Sequence, residues 1–107
     1  MDLVTAVNHD YIDIIITGTI KTTANTQTIK EAVSKAHQQY PASRINLVIK
    51  DSFIITSSVI GFLIKSIKMD KLALFVVVFS QELYDMLDDM NLIELLNVIK
   101  ENACEEA

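Results

Sequence analysis

Three short runs of β-branched and other large apolar residues alternate along this chain with stretches that repeat apolar residues at helical spacing. The runs cover residues 11–20, 45–49 and 72–79, and each is followed by one of the helical stretches. Short continuous apolar runs are typical of strands in a parallel sheet, because the connecting helices cover such strands. The alternation therefore predicts a domain of the α/β class.

The N-terminal segment predicts a strand with a different pairing. Residues 3–7 and 11–20 are both rich in β-branched residues, and residues 8–10 between them form a turn-prone Asn-His-Asp triplet. This arrangement predicts an antiparallel hairpin at the start of the domain. Gly18 is expected to end the regular part of the second strand.

The first helical stretch has recognisable ends. Its apolar residues at helical spacing are Ile29, Val33, Ala36 and Tyr40. Residues 28–31 (Thr-Ile-Lys-Glu) match a capping box and predict a start at Thr28, although Thr23 or Asn25 are earlier candidates. Pro41 is expected to stop the helix at about Tyr40.

Residues 57–69 predict a second, amphipathic helix. Apolar side chains repeat on one face of this segment, and lysines lie on the other face. Gly61 lies inside the helix, where a glycine costs about 1 kcal/mol relative to alanine. We interpret this glycine as a sign of close packing against a neighbouring element.

The C-terminal part of the chain predicts a third helix, a strand and a tail. Ser80 is placed to cap the helix, Asn91 to end it in the left-handed conformation, and Leu92 to fold back on it. A last strand is expected near residues 97–99, followed by a short acidic helix. The predicted order is β-β-α-β-α-β-α-β-α in a single domain that spans residues 1–107.

Composition restricts the classes of partner. Fourteen Asp and Glu residues outnumber nine Lys and Arg residues, which disfavours binding to a nucleic acid. Cys104 is the only cysteine, so an internal disulfide is impossible and a reducing compartment is expected. The chain lacks the cationic start of a signal peptide and an apolar run long enough to cross a bilayer. We therefore expect a cytoplasmic protein that binds no nucleic acid and does not insert into membranes.

The sequence offers little for catalysis. Gly18 and Gly61 are the only glycines, too few for a phosphate-binding P-loop or a dinucleotide fingerprint. His9 and His37 have no cysteine or carboxylate at metal-ligand spacing. We expect no catalytic residues, no metal site and no cofactor, and hence a protein that is not an enzyme.

Three consecutive hydroxyl side chains, Thr56, Ser57 and Ser58, stand where the second helix is predicted to begin. In one interpretation a single hydroxyl caps the helix, worth about 1 kcal/mol, and the others are incidental. In the other, a hydroxyl accepts a phosphoryl group, which the N–H groups and positive dipole of a helix start would tolerate. The added charge would then repel a partner that docks on the adjacent apolar surface.

Around these hydroxyls the sequence resembles the STAS domain of anti-sigma factor antagonists. In that family an apolar strand and a short turn lead to an Asp-Ser-Ser-Gly-Leu-Gly-x-Leu motif that opens a helix, and residues 56–63 (Thr-Ser-Ser-Val-Ile-Gly-Phe-Leu) fit this register. Gly18 and the order of elements over residues 74–99 also match, whereas Thr56 and Val59 replace the family's Asp and Gly. The resemblance implies a STAS-like α/β fold, a small mixed sheet with an N-terminal hairpin and helices mainly on one face.

The same resemblance implies a bacterial partner-switching protein for signal transduction in transcription regulation. Ser57 falls on the family's phosphoacceptor serine, with Ser58 and Thr56 as less favoured alternatives. The implied partners are an anti-sigma factor that is also a serine kinase of the histidine-kinase-like ATPase type, and a PP2C-type phosphatase. The free protein is expected to be a monomer or a weak homodimer. The residues expected to contact the partner are Thr22, Thr23, Asp51, Ser52, Thr56, Ser57, Ser58, Ile60 and Gly61.

Two other interpretations stay open. As a docking subunit of an ABC-type lipid transport complex, the chain would pack the helix at residues 57–69 permanently on an ATPase. As a STAS interaction module without phosphorylation, it would bind a partner or sense a ligand within a larger signalling assembly. Both interpretations share the fold with the first and differ only in what happens at the start of this helix.

Overall fold

The structure is a computed structural model that describes residues 1–52 and 54–101. Its strands are β1 (Asp2–Val7), β2 (Tyr11–Thr17), β3 (Arg44–Ile49), β4 (Leu74–Val78) and β5 (Val98–Lys100). Its helices are α1 (Thr23–Gln39), α2 (Ser57–Lys68) and α3 (Gln81–Asp89). The predicted acidic helical tail falls on residues 102–107, outside the described residues. No helix among the described residues has the length and hydropathy needed to cross a membrane.

One mixed sheet contains all five strands in the order β1-β2-β3-β4-β5. β1 pairs with β2 in antiparallel orientation, and the other three pairings are parallel. Each parallel pair is connected by a helix, as the crossover between parallel strands requires. The predicted α/β class and the predicted mixed sheet are therefore confirmed.

The predicted N-terminal hairpin is present, with β1 starting one residue earlier than expected and β2 ending at Thr17, before Gly18 as expected. The N–H of Asn8 donates to the carbonyl oxygen of Tyr11 at 2.8 Å and closes the turn. β2 ends one residue before Gly18, whose φ of +85° is a left-handed conformation that favours glycine. A Cβ at Gly18 would lie 3.1 Å from the Cα of Met1, so this turn also leaves no room for a side chain.

The core lies between the sheet and the helices. Alternate residues of the central strands are fully or almost fully buried, whereas their neighbours on the other face are only partly buried. The buried strand residues are Ile12, Ile14, Ile16, Ile45, Leu47, Ile49, Leu74, Val76 and Val78. This alternation means that the helices cover one face of the sheet.

The opposite face of the sheet keeps polar groups among its partly buried apolar side chains. The amide of Asn46 donates to a carboxylate oxygen of Asp13 on the adjacent strand at 2.9 Å. The Arg44 guanidinium lies 3.9 Å from the centre of the Phe75 ring, close enough for a cation–π contact. These contacts suit a face that stays in contact with water.

The start of α1 differs from the predicted start at Thr28. Thr22 is the N-cap, and Thr22 and Asn25 form a reciprocal capping box in which each side chain accepts a backbone N–H of the other residue. Thr28 lies inside the helix and its hydroxyl donates to the carbonyl oxygen of Ala24 at 2.9 Å. The start predicted from the capping box at Thr28 is therefore wrong, because a threonine hydroxyl can also bond back within a helix. The earlier alternative, Thr23, is the first residue of α1. The helix ends at Gln39, two residues before Pro41, as expected.

Both ends of α3 match the prediction. The Ser80 hydroxyl caps the helix by accepting the N–H of Leu83 at 3.2 Å. Asn91 has a φ of +60°, and the N–H of Leu92 donates to the carbonyl oxygen of Leu87 at 2.9 Å. This is the hydrogen bond of a Schellman motif, and it turns the buried Leu92 back onto the helix.

Candidate functional site

The loops that follow β2 and β3 meet at one end of the sheet, because the carboxyl ends of adjacent parallel strands lie side by side. Two hydrogen bonds join the loops. A carboxylate oxygen of Asp51 accepts the N–H of Gly18 at 3.3 Å, and the hydroxyl of Ser52 accepts the N–H of Ile20 at 3.2 Å. The starts of α1 and α2 are thus held side by side.

Ser52 is buried at this end of the sheet and supports the loops there. Its side chain is 1 % exposed, and its hydroxyl also donates to the carbonyl oxygen of Ile54 at 2.6 Å. Both hydrogen-bonding functions of the hydroxyl are used inside the protein. Ser52 was expected to contact a partner, and the structure places it beneath the surface instead, where it supports the loop that leads into α2.

Thr56 joins the two helix starts. It is the N-cap of α2, and its hydroxyl oxygen accepts the N–H of Val59 at 3.3 Å. The same oxygen lies 3.1 Å from the hydroxyl oxygen of Thr26, in the first turn of α1. The Thr56 side chain is only partly exposed and is already hydrogen bonded, as the capping interpretation of this segment predicted.

Ser57 and Ser58 are the first two residues of α2, and both side chains are exposed. Their backbone N–H groups belong to the first turn, where an α-helix provides no intrahelical acceptor. The first turn of α2 contains no acidic residue, whereas α3 carries Glu82 at the equivalent place. The positive end of the α2 dipole is therefore not neutralised by a side chain of its own helix.

An exposed surface surrounds these two serines. Ile54, just before the helix, is 46 % exposed, and Gly61 is exposed one turn after Ser57 and Ser58. Residues three and four apart lie on the same helical face, so Gly61 continues the surface of both serines. We call Ile54, Ser57, Ser58 and Gly61 the α2 docking surface.

Gly61 does not pack closely against a neighbouring element. A Cβ built on this residue has no atom within 4 Å, apart from its two neighbours in sequence and the backbone of its own helix. The predicted close approach is therefore wrong. The glycine therefore destabilises the helix relative to alanine, and no close contact inside the domain requires it. It leaves a flat, exposed position on this surface, where the helix backbone is not covered by a side chain.

Gly61→Ala is expected to raise the free energy of unfolding by about 0.5–1 kcal/mol. Alanine restricts the unfolded chain more than glycine does, and the methyl group enters open space. Urea denaturation followed by circular dichroism will measure the change. Gly18→Ala is the contrasting variant, which should destabilise the protein because of its left-handed φ and the nearby Met1 backbone. A loss of stability for Gly61→Ala would contradict the open space described here.

The structure places all nine residues predicted for partner contact at this end of the sheet, at the start of α1 or in the first two turns of α2. The exposed ones are Thr22, Thr23, Asp51, Ser57, Ser58 and Gly61. Thr56 is partly buried, and Ser52 and Ile60 are buried. Sequence reasoning missed Ile54, because it belongs to an apolar run, and Thr26, because a hydroxyl partner on another helix leaves no local signal.

Neither a comparison with models of known protein families nor a search of curated proteins found a significant match to this chain. The resemblance to the STAS domain therefore stays a prediction based on the residues given above. Within the described residues, no three His, Cys, Asp or Glu side chains converge as they would around a metal ion.

Proposed function

We propose that this chain is a partner-switching protein of the STAS type, which binds another protein through the α2 docking surface and is regulated by phosphorylation of Ser57. The observation that carries the proposal is an exposed serine on the first turn of a helix that has no acidic residue there. An exposed isoleucine, Ile54, lies just before the same turn in sequence.

A phosphoryl group on Ser57 suits this position physically. The N–H groups of the first turn and the positive end of the helix dipole favour a dianion. The fold therefore tolerates the modified state, and the folded domain should keep its stability. What changes is the surface, which gains about 1.5 to 2 negative charges at pH 7.

Of the three hydroxyls, Ser57 and Ser58 are the accessible ones. The Thr56 hydroxyl caps α2 and contacts Thr26, so its modification would break two interactions. The preference for Ser57 over Ser58 comes from the STAS resemblance, in which Ser57 takes the place of the phosphoacceptor. Thr56, in place of the family's Asp, adds no carboxylate beside that serine.

The added charge would act on the partner rather than on this domain. A partner that covers Ile54 must remove water from the docking surface, and a phosphate at the same place must then lose its hydration as well. Binding is therefore strong in the free state and weak in the phosphorylated state. The proposed kinase is an anti-sigma factor of the histidine-kinase-like ATPase type, and a PP2C-type phosphatase would reverse the reaction in the cytoplasm.

Co-expression with such a kinase is expected to add one phosphate-sized mass to the chain. Intact-protein mass spectrometry will detect the addition, and Ser57→Ala should abolish it while Ser58→Ala, the matched exposed control, should not. Calorimetric titration of the two forms should show that phosphorylation weakens kinase binding by at least about tenfold, or 1.4 kcal/mol.

Three other results would change the proposal. A mass increase that persists in Ser57→Ala would move the phosphoacceptor to Ser58 or Thr56. Tight binding to the kinase without any mass increase would leave constitutive docking, as in the proposed transport-complex subunit. Phosphorylation at Ser57 that leaves binding unchanged would contradict partner switching.

A further inference from the structure

β1 forms one edge of the sheet, and its outer side is unpaired within the described residues. Two apolar side chains of this strand are among the most exposed in the domain, Val4 at 61 % and Val7 at 54 %. A free strand edge with exposed apolar side chains is a template for pairing with a further strand.

The outward backbone groups of β1 follow from its pairing with β2. The bond from Asn8 N–H to the Tyr11 carbonyl oxygen makes Asn8 and Tyr11 a hydrogen-bonded pair. In an antiparallel ladder such pairs alternate with non-bonded pairs, so Val4 and Ala6 direct their N–H and C=O groups towards β2. The groups of Leu3, Thr5 and Val7 therefore point outwards. We call these three residues the free edge.

The two edges of the sheet differ in their protection. β5, at the far edge, has only three residues and ends at Lys100, and both shortness and a lysine discourage pairing between sheets. β1 has six residues, and from Leu3 to Val7 it contains neither a charge nor a proline. The sequence thus protects one edge and leaves the other open.

We propose that the free edge of β1 pairs with the same edge of a second copy of this chain, in antiparallel orientation, to form a symmetric dimer with a continuous ten-strand sheet. A two-fold axis perpendicular to the sheet keeps the helices of both copies on one face. Directly opposite residues then point to the same face, so the axis lies midway between one residue of β1 and the same residue of the second copy.

The number of hydrogen bonds between the two β1 strands determines which residue lies at the two-fold axis. With Thr5 opposite Thr5 of the second copy, Leu3 faces Val7, and all outward groups of the free edge pair in a ladder of about six hydrogen bonds. With Val4 on the axis, the groups of Val7 are left without a strand partner, and the ladder is shorter. The register centred on Thr5 is therefore the one that satisfies the whole edge.

Side chains favour the same register. A recess of about 250 Å³ lies between β1 and the second half of α1, and its apolar walls include Val7, Ile12 and Ala36. In the register centred on Thr5, Leu3 of the second copy lies beside Val7 at the mouth of this recess. Each copy supplies one leucine and one recess, so the interface is self-complementary.

The charges are compatible with a second copy, and the small contact area predicts that the pairing is weak. The paired segments are uncharged, and Asp2 of one copy lies opposite the neutral Asn8 of the other, so no like charges face each other. One strand pair buries less than the roughly 1,200 Å² that marks the small end of specific interfaces. We therefore expect a weak dimer that dissociates on dilution to low micromolar concentrations. This dimer needs neither a kinase nor the α2 docking surface.

Sedimentation velocity of the full chain across a range from micromolar to millimolar concentration tests the proposal. The wild type should shift from monomer to dimer. Thr5→Pro should remain monomeric because it removes an outward N–H, yet stay folded because that N–H makes no bond to β2. Thr5→Ala, which keeps the N–H, should still dimerise. Equal association of the proline and alanine variants would overturn the proposal, as would a wild type that stays monomeric at every concentration.

Amide hydrogen exchange and crosslinking test the register without relying on the proline variant. The amides of Leu3, Thr5 and Val7 should become protected as concentration rises, whereas those of Val4 and Ala6 are protected throughout. In a Cys104→Ser background, Thr5→Cys should form a disulfide dimer readily, since directly opposed Cα atoms lie about 5.5 Å apart. Val4→Cys should crosslink much more slowly. A dimer without protection of the free edge would place the interface elsewhere and overturn the proposal.

Discussion

Leu47→Ala is expected to lower the free energy of unfolding by about 2–5 kcal/mol, a large part of the roughly 5–15 kcal/mol that holds a domain of this kind together. Leu47 is fully buried in β3, the middle strand, between Ile14 on β2 and Val76 on β4. Strands on both sides are fixed by their hydrogen bonds, so the cavity left by the side chain cannot close easily.

Val48→Ala is the matched control for this variant. Val48 is the next residue of the same strand and points to the partly exposed face of the sheet. Its truncation should cost about 1 kcal/mol, because less apolar surface returns to water and solvent fills the space. Urea denaturation of both variants will give the difference. Equal losses would mean that the second face of the sheet is as well covered as the first, contrary to the one-sided helix layer.

The elements of the fold were predictable because local signals and the fold agree. β-branched runs, the stop at Pro41 and the cap at Ser80 all act through near neighbours in sequence. The described residues contain the five predicted strands and the first three predicted helices, and apart from the start of α1 their bounds lie within a few residues of those expected. Asn91 was correctly placed in the left-handed conformation because few other residues tolerate it. The α/β class followed from the order of these elements.

The two predictions that were wrong failed for different reasons, one at a helix start and one on a helix surface. Residues 28–31 matched a capping box, but a second capping box, formed by Thr22 and Asn25, starts α1 six residues earlier. Gly61 was interpreted as a packing glycine, although only the surroundings of its backbone reveal the open space there. A local pattern cannot distinguish a glycine that fits a neighbour from one that leaves a surface flat.

The candidate site combines both kinds of information. The hydroxyl segment 56–58 was recognisable in the sequence, but which hydroxyl is occupied depends on Thr26, thirty residues away along the chain. The exposure of Ile54 likewise depends on where the loop after β3 runs. The sequence indicated which residues to consider, and the structure separates those that support the loops from those that are accessible to a partner.

Ser52→Ala is expected to lower the free energy of unfolding by about 1–3 kcal/mol, a large effect for the loss of one oxygen atom. The variant removes the acceptor of the Ile20 N–H, and Ile20 is fully buried. It also removes the donor to the Ile54 carbonyl oxygen. A buried N–H without a partner pays its full desolvation cost, because water does not reach it.

The same substitution should disturb the α2 docking surface through the loop rather than by contact. Ser52 links the loop after β2 to the segment that ends in Thr56, so NMR shift changes should concentrate at Ile20, Ile54 and the contact of Thr26 with Thr56. Ser58→Ala, an exposed serine in the same region, should change stability by no more than about 0.5 kcal/mol. Equal effects of the two variants would show that the Ser52 hydroxyl does not hold the two loops together. In that case the side-by-side placement of the two helix starts must depend on the hydrogen bond from Gly18 to Asp51 and on the contact of Thr26 with Thr56.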